Sequence, residues 1–373
     1  MSRHRLLAAL VLAGCASRPV RPERHAGGVA RAVLAFRWEQ RVAPQSGPPH
    51  KPEELSLPLV DSRRARIYVG SARNGLFALR SGDGAFVYHV PTRGPVHSAP
   101  LLVPHLGRLF FGCDDGALYA VESENGRLAW RYETRGTVRT RPVYDAGVLF
   151  FTSGEDRLYA VEARSGRWRW HYEREVPEGF TIRGQSGAAV AGGRVFAGFS
   201  DGHVAALDAR SGDVLWTQKI GTQGYADADG TPVMAPDGKT LFVSAYNGGV
   251  YALHAADGSV RWRYAVEGPT RVTLDGERVY FSSPSDGVHA LDRTGRLLWR
   301  QVVRQGSLSP PVPTDRYVVV TASEAGIYVA ARDNGELLGF FRAGGGISAE
   351  PVVADDGLFF VSNTGFLYSA TLR

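Results

Sequence analysis

The sequence predicts an all-β protein in which eight four-stranded antiparallel blades close into a ring. Three observations predict it. A pattern recurs along the chain: an apolar strand, a tight turn, Leu/Val-aromatic-Ala-Leu, a second turn ending in Gly, and Trp four residues later. The first turn type occurs eight times, at Gly75, Gly116, Arg157, Gly202, Gly248, Gly287, Gly326 and Gly365, and the second seven times, from Gly84 to Gly335. The last copy stops one strand short at Thr371, and the missing Trp-bearing strand stands at the other end, Leu34-Ala35-Phe36-Arg37-Trp38. Apolar runs suited to a sheet buried on both faces, four short strands to a unit of about 42 residues, describe a β-propeller blade. Residues 33 to 42 then complete the last blade and close the ring, which removes exposed edges.

The elements follow in order. Arg3, His4 and Arg5 precede the apolar run Leu6 to Leu12 and then Ala13-Gly14-Cys15. A basic start, a short apolar stretch and small residues predict a secretory signal over residues 1–14, too short to span a bilayer as a helix. Leu12-Ala13-Gly14-Cys15 resembles a bacterial lipobox, which makes Cys15 the lipidated residue. Residues 15–32 are polar and unpatterned, as a flexible tether would be. The ring occupies residues 33–373. Its first copy is weak, Leu76-Phe77-Ala78-Leu79 with Gly84 and Tyr88. Five full copies follow, from Leu118-Tyr119-Ala120-Val121 with Gly126 and Trp130 to Val288-His289-Ala290-Leu291 with Gly295 and Trp299. A weaker copy, Ile327-Tyr328-Val329-Ala330, has Gly339 where Trp is expected. Asn-Gly and Asp-Gly sit at the turns because type I′ turns need positive φ at both central residues.

Composition narrows the function. Gly is 45 of 373 residues without a three-residue period, so its excess counts turns and excludes collagen. Two cysteines cannot build a disulfide scaffold or a four-cysteine zinc site. The net charge of +6 suggests a nucleic-acid partner until it is located. Arg3 and Arg5 sit in the leader, and the tether holds Arg18, Arg21, Arg24 and Arg31 against Glu23. Removing those five net charges leaves +1 for residues 33–373, which is no phosphate-binding footprint. The ten His form no HxH or HExxH cluster, and no nucleophile elbow or phosphate loop occurs. Six of the seven Trp fill the repeat position and are expected in the core, and Cys113 continues a strand as a small buried residue.

Two connections are longer than the rest, Pro177 to Ser186 and Gly221 to Pro232. Each joins the last strand of one blade to the first of the next, so strand alternation brings both out on the same face. One carries Phe180, Ile182 and Arg183; the other offers the carboxylates of Asp227 and Asp229. Loops of this kind on a rigid scaffold suit a protein partner.

The repeats resemble those of the pyrroloquinoline-quinone-like propellers. Lipobox, single ring and length together are similar to the BamB family, lipoproteins of the outer-membrane β-barrel assembly machine. Phe180-Thr181-Ile182-Arg183-Gly184-Gln185-Ser186 is similar to that family's Leu-x-Leu-Arg-Gly-x-Ser segment. Asp227-Ala228-Asp229-Gly230-Thr231-Pro232 is similar to its Asp-x-Asp-x-Thr-Pro segment. Two departures stand out: Phe180 replaces a Leu, and the Asp156-Arg157 turn lacks the usual Gly. The resemblance implies a non-enzymatic scaffold without cofactor, lipid-anchored on the periplasmic face of the outer membrane. Its implied partner is a POTRA domain of a BamA-type assembly protein, met by Phe180, Ile182, Arg183, Asp227 and Asp229. The alternative within the wider fold is a periplasmic quinoprotein oxidoreductase. That chemistry needs a carboxylate-bound cation, a general-base Asp and aromatic stacking on the quinone. Many such enzymes also carry adjacent cysteines, which this chain lacks.

Overall fold

The computed structural model describes residues 33–43, 54–73, 75–174, 186–221 and 227–373. The predicted signal segment, Cys15 and the tether lie outside these residues. Among those described, the strands form eight separate four-stranded antiparallel sheets, and the single helical turn is the short 3-10 segment Pro104–Leu106. The first blade runs Leu59–Asp61, Arg66–Ser71, Gly75–Arg80 and Phe86–Val90 in spatial order from inside to outside. No helix among the described residues is long and apolar enough to cross a membrane.

The ring closes as the sequence predicts. Phe366–Leu372 pairs on one side with Gly357–Val361 and on the other with Leu34–Arg41, in a register from Leu34↔Leu372 to Arg41↔Phe366. The eighth blade is therefore built from both ends of the chain.

Each blade repeats one packing scheme. The two middle strands are buried on both faces, which their aromatic and β-branched residues favour. Directly opposed aromatic pairs join them: Phe111 stacks on Tyr119 at 5.3 Å, Phe281 on His289 at 4.7 Å and Phe360 on Tyr368 at 5.1 Å. In the outer strand a bulge follows each repeat's Ala, so that Ala120 opposes Trp130 while Val121 opposes Leu128. The bulge turns the indole toward the next blade.

There each indole meets the second-turn glycine of its neighbour. A Cβ on Gly212, which sits at φ 81°, would lie 2.7 Å from the ring of Trp170. The Trp170 Nε1–H donates to the carbonyl of Ala209 in the same turn at 3.2 Å. The arrangement recurs with Trp38 on Gly84, Trp130 on Gly166, Trp216 on Gly258, Trp262 on Gly295 and Trp299 on Gly335. Tyr88 takes the same place on Gly126, its hydroxyl donating to the Ser123 carbonyl at 2.9 Å. Of the six repeat tryptophans, Trp38, Trp170, Trp216 and Trp299 are buried, while Trp130 and Trp262 are half-buried. Cys113 is fully buried, and that burial pushes its thiol up to about 11.

The exception at Gly339 has a physical reason. Its partner would be the turn between the third and fourth strands of the last blade, and there the ring's first and last residues, Val33 and Arg373, meet instead. Val33 fills the space instead, lying 3.4 Å from a Cβ built on Gly339, and Arg373 N–H donates to the Val33 carbonyl. The asymmetry of the seventh copy thus marks the closing seam.

Candidate partner-binding face

The connections between blades leave the ring on one face, and two of them were expected to carry the site. Phe180, Ile182 and Arg183 lie outside the described residues, as do residues 222–226. The ends of both loops are described and locked together. Thr152 Oγ1 donates to the Ser186 carbonyl at 2.6 Å, and Ser186 Oγ donates to the Gly230 carbonyl at 3.3 Å. Gly187 N–H donates to Thr231 Oγ1 at 2.9 Å. The described ends of the two loops are therefore adjacent and rooted in the same polar lattice.

The acidic segment departs from the expectation of two offered carboxylates. Asp227 is fully buried, and its carbonyl accepts the Tyr246 N–H at 2.9 Å. Ala228 hydrogen-bonds back to Phe199, and its carbonyl lies where a Cβ on Gly198 would stand at 2.0 Å. Only glycine at 198 lets this loop lie on the strand. The carboxyl of Asp229 is shielded as well, and burial, reinforced by the negative charge of Asp227, pushes it up to about 7. Its Oδ1 has no hydrogen-bond partner among the described residues. Asp227 thus acts on the loop's own conformation, while Asp229 keeps partial exposure.

A third carboxylate joins them. Asp156 adopts φ 51°, the left-handed conformation in which Asp substitutes for the glycine of other copies. Its carboxylate accepts the Ser200 N–H and hydroxyl, the latter at 3.0 Å, tying one blade to the next. Burial raises Asp156 to about 6, with Asp201 and Asp227 adding to the effect and the Ser200 hydrogen bonds opposing it. Asp201 in turn accepts from Arg174 Nε at 2.6 Å.

On the same face, a belt of hydroxyl contacts links successive blades around the central channel that a propeller encloses. Ser56 Oγ donates to the Ser98 carbonyl and Ser98 Oγ to the Thr140 carbonyl, both at 2.9 Å; Thr321 Oγ1 donates to the Ala349 carbonyl at 2.8 Å. The residue after each belt position stands at the start of an innermost strand. Three of these are charged: Arg141, Arg271 and Glu350. Arg271 Nη2 lies 2.5 and 2.6 Å from the two oxygens of Glu350. Sequence reasoning missed Asp156 and this charged trio. A signal existed in the recurring hydroxyl-x-Pro of Ser56-Leu57-Pro58, Ser98-Ala99-Pro100, Thr140-Arg141-Pro142 and Ser309-Pro310-Pro311. Among the described residues no three His, Cys, Asp or Glu are grouped to hold a metal ion.

With this geometry in hand, comparison with known proteins decides the family. The family model described as outer membrane protein assembly factor BamB matches residues 102–294 and 285–371, more than half of the chain. The chain belongs to the BamB family. BamB from Moraxella catarrhalis superposes with a TM-score of 0.77 at 18% identity, over 91% of this chain and 100% of that one. The fold is shared more widely than the BamB family. The computationally designed Ika8 protein matches with a TM-score of 0.70 at 13% identity, over 86% of this chain and 97% of its own. Quinohemoprotein alcohol dehydrogenase ADHIIG from Pseudomonas putida HK5 matches at 0.72 and 14% identity, over 91% of this chain and 76% of that one. No curated protein matches the sequence significantly.

Proposed function

We propose that the chain is a non-enzymatic scaffold of outer-membrane protein assembly, anchored through Cys15 and docked onto a POTRA domain of a BamA-type protein. Membership of the BamB family supports the role. The observation that carries the docking surface is the adjacency of the two long connections, whose ends share the Ser186–Gly230 and Gly187–Thr231 hydrogen bonds. Phe180 and Ile182 supply apolar anchoring, and Arg183 and Asp229 set orientation. Asp227, being buried, contributes by holding the loop in shape. The lipid at Cys15 keeps the face near the membrane-embedded partner.

The test is capture of purified POTRA domains by the wild type, Arg183→Glu and Asp229→Arg, each compared with wild type for its melting curve. The reading expects both substitutions to weaken capture at least tenfold. Equal capture by folded variants would place the site elsewhere, and no capture by the wild type would remove the partner.

The second reading, a quinoprotein oxidoreductase, is favoured by the shared fold with quinohemoprotein alcohol dehydrogenases. The scaffold is preferred because the family model that matches the chain is that of BamB. A stoichiometric red-shifted absorbance on adding the quinone with calcium would reverse that preference.

A further inference from the structure

The mouth of the axial channel carries charge that neither the fold nor the docking loops use. Eight equivalent residues, one per blade, follow the hydroxyl belt, and five of them are uncharged, Leu57 and Pro310 among them. The other three converge. Arg271 belongs to the sixth blade and Glu350 to the eighth, so their contact passes over the inner end of the seventh as a chord across the opening. Arg141 enters from the third blade, opposite: its crowded surroundings, and after them the Arg271 guanidinium, hold it below the usual arginine range, and Glu350 partly offsets them.

Two guanidiniums thus face one carboxylate, a net charge of +1 on an otherwise nearly neutral ring. Arg271 engages Glu350 through Nη2 alone; its Nε and Nη1 have no partner among the described residues. Arg141 makes no hydrogen bond or ion pair among them, and solvent reaches it. The Glu350 side chain is only 9% exposed against 32% for Arg271, so the carboxylate is the enclosed member of the pair and the guanidinium the one that solvent reaches. Planar guanidinium forks match the oxygens of carboxylates and phosphates.

We propose that this mouth is an oxyanion site in which a carboxylate or phosphate group sits between Arg141 and Arg271, with Glu350 holding Arg271 in position. The site lies on the docking face but does not depend on the docking partner. Its ligand is either a free anion or the same group carried on a larger molecule.

Equilibrium dialysis of the full-length protein with inorganic phosphate and, separately, with succinate at constant ionic strength tests it. Arg141→Gln is expected to weaken uptake at least tenfold with an unchanged melting temperature, and Arg141→Lys to restore part of it. Glu350→Gln keeps an amide oxygen to hold Arg271 and raises the local charge from +1 to +2, so it should bind no more weakly than the wild type, a result that a purely structural role for the trio would not give. Preference for phosphate or for succinate identifies which oxyanion the geometry selects. The proposal is overturned if the wild type takes up neither anion, or if Arg141→Gln binds as well as the wild type. POTRA capture unaffected by Arg141→Gln keeps this outcome separate from that of the docking loops.

Discussion

Asp229 concentrates the cost that the acidic loop imposes. Its pKa rises from 3.8 to about 7, because burial and then the neighbouring Asp227 disfavour the ionised form. A raised acid binds its proton more tightly folded than unfolded, so its contribution favours the fold at low pH. That contribution falls as pH climbs from about 4 to 7 and is absent above. Asp156, raised to about 6, acts in the same direction. His289, pushed down to about 4 by burial, acts in the opposite one, losing stability as pH falls from 6.5. Asp229→Asn isolates the first effect: relative to wild type it should gain on the order of 4 kcal/mol at pH 8 and nothing below pH 4. Melting curves of both proteins from pH 4 to 8 check this, and parallel curves would contradict it. The sequence placed these aspartates but not their burial, because Gly198 and the Ser186–Gly230 contacts that enclose the loop come from other blades. Asp156 is a similar case. Its turn looked defective without glycine, yet Asp tolerates the left-handed conformation and gains a bond to Ser200.

Blades were legible because their turns and indoles are written in single letters. A hairpin needing positive φ shows as Gly, and the outward bulge shows as Trp four residues later. The reason for that spacing was not legible, since the glycine that receives each indole belongs to the next repeat. Trp170 and Gly212 are 42 positions apart and meet only when neighbouring blades pack. The missing Trp at Gly339 likewise makes sense only once the chain ends are known to share one blade. That seam gives an element-level test. Phe366–Leu372 pairs on both sides, so deleting residues 366 to 373 leaves Leu34–Arg41 without a partner and opens the ring. The truncated chain should lose its cooperative thermal transition. A truncated protein that melts like the intact one would show that the closure contributes little.

The ring brings together what the chain keeps apart. Arg141, Arg271 and Glu350 are separated by 130 and 79 positions, and the hydroxyl-x-Pro motif contains only Arg141 of the three, so their convergence shows only on closure into eight blades. Closure also brings the described ends of the two long connections together on one face, at Ser186–Gly230 and Gly187–Thr231. The opposite face carries the hairpin turns in which the indoles are capped. A scaffold that uses one face should therefore show a one-sided footprint. Amide hydrogen exchange of the full-length protein, with and without purified POTRA domains, measures it directly. The account predicts new protection in residues 175–186 and 221–232, with the indole-capping turns near Gly126, Gly212 and Gly258 unchanged. Protection confined to those turns, or no protection at either loop, would contradict it.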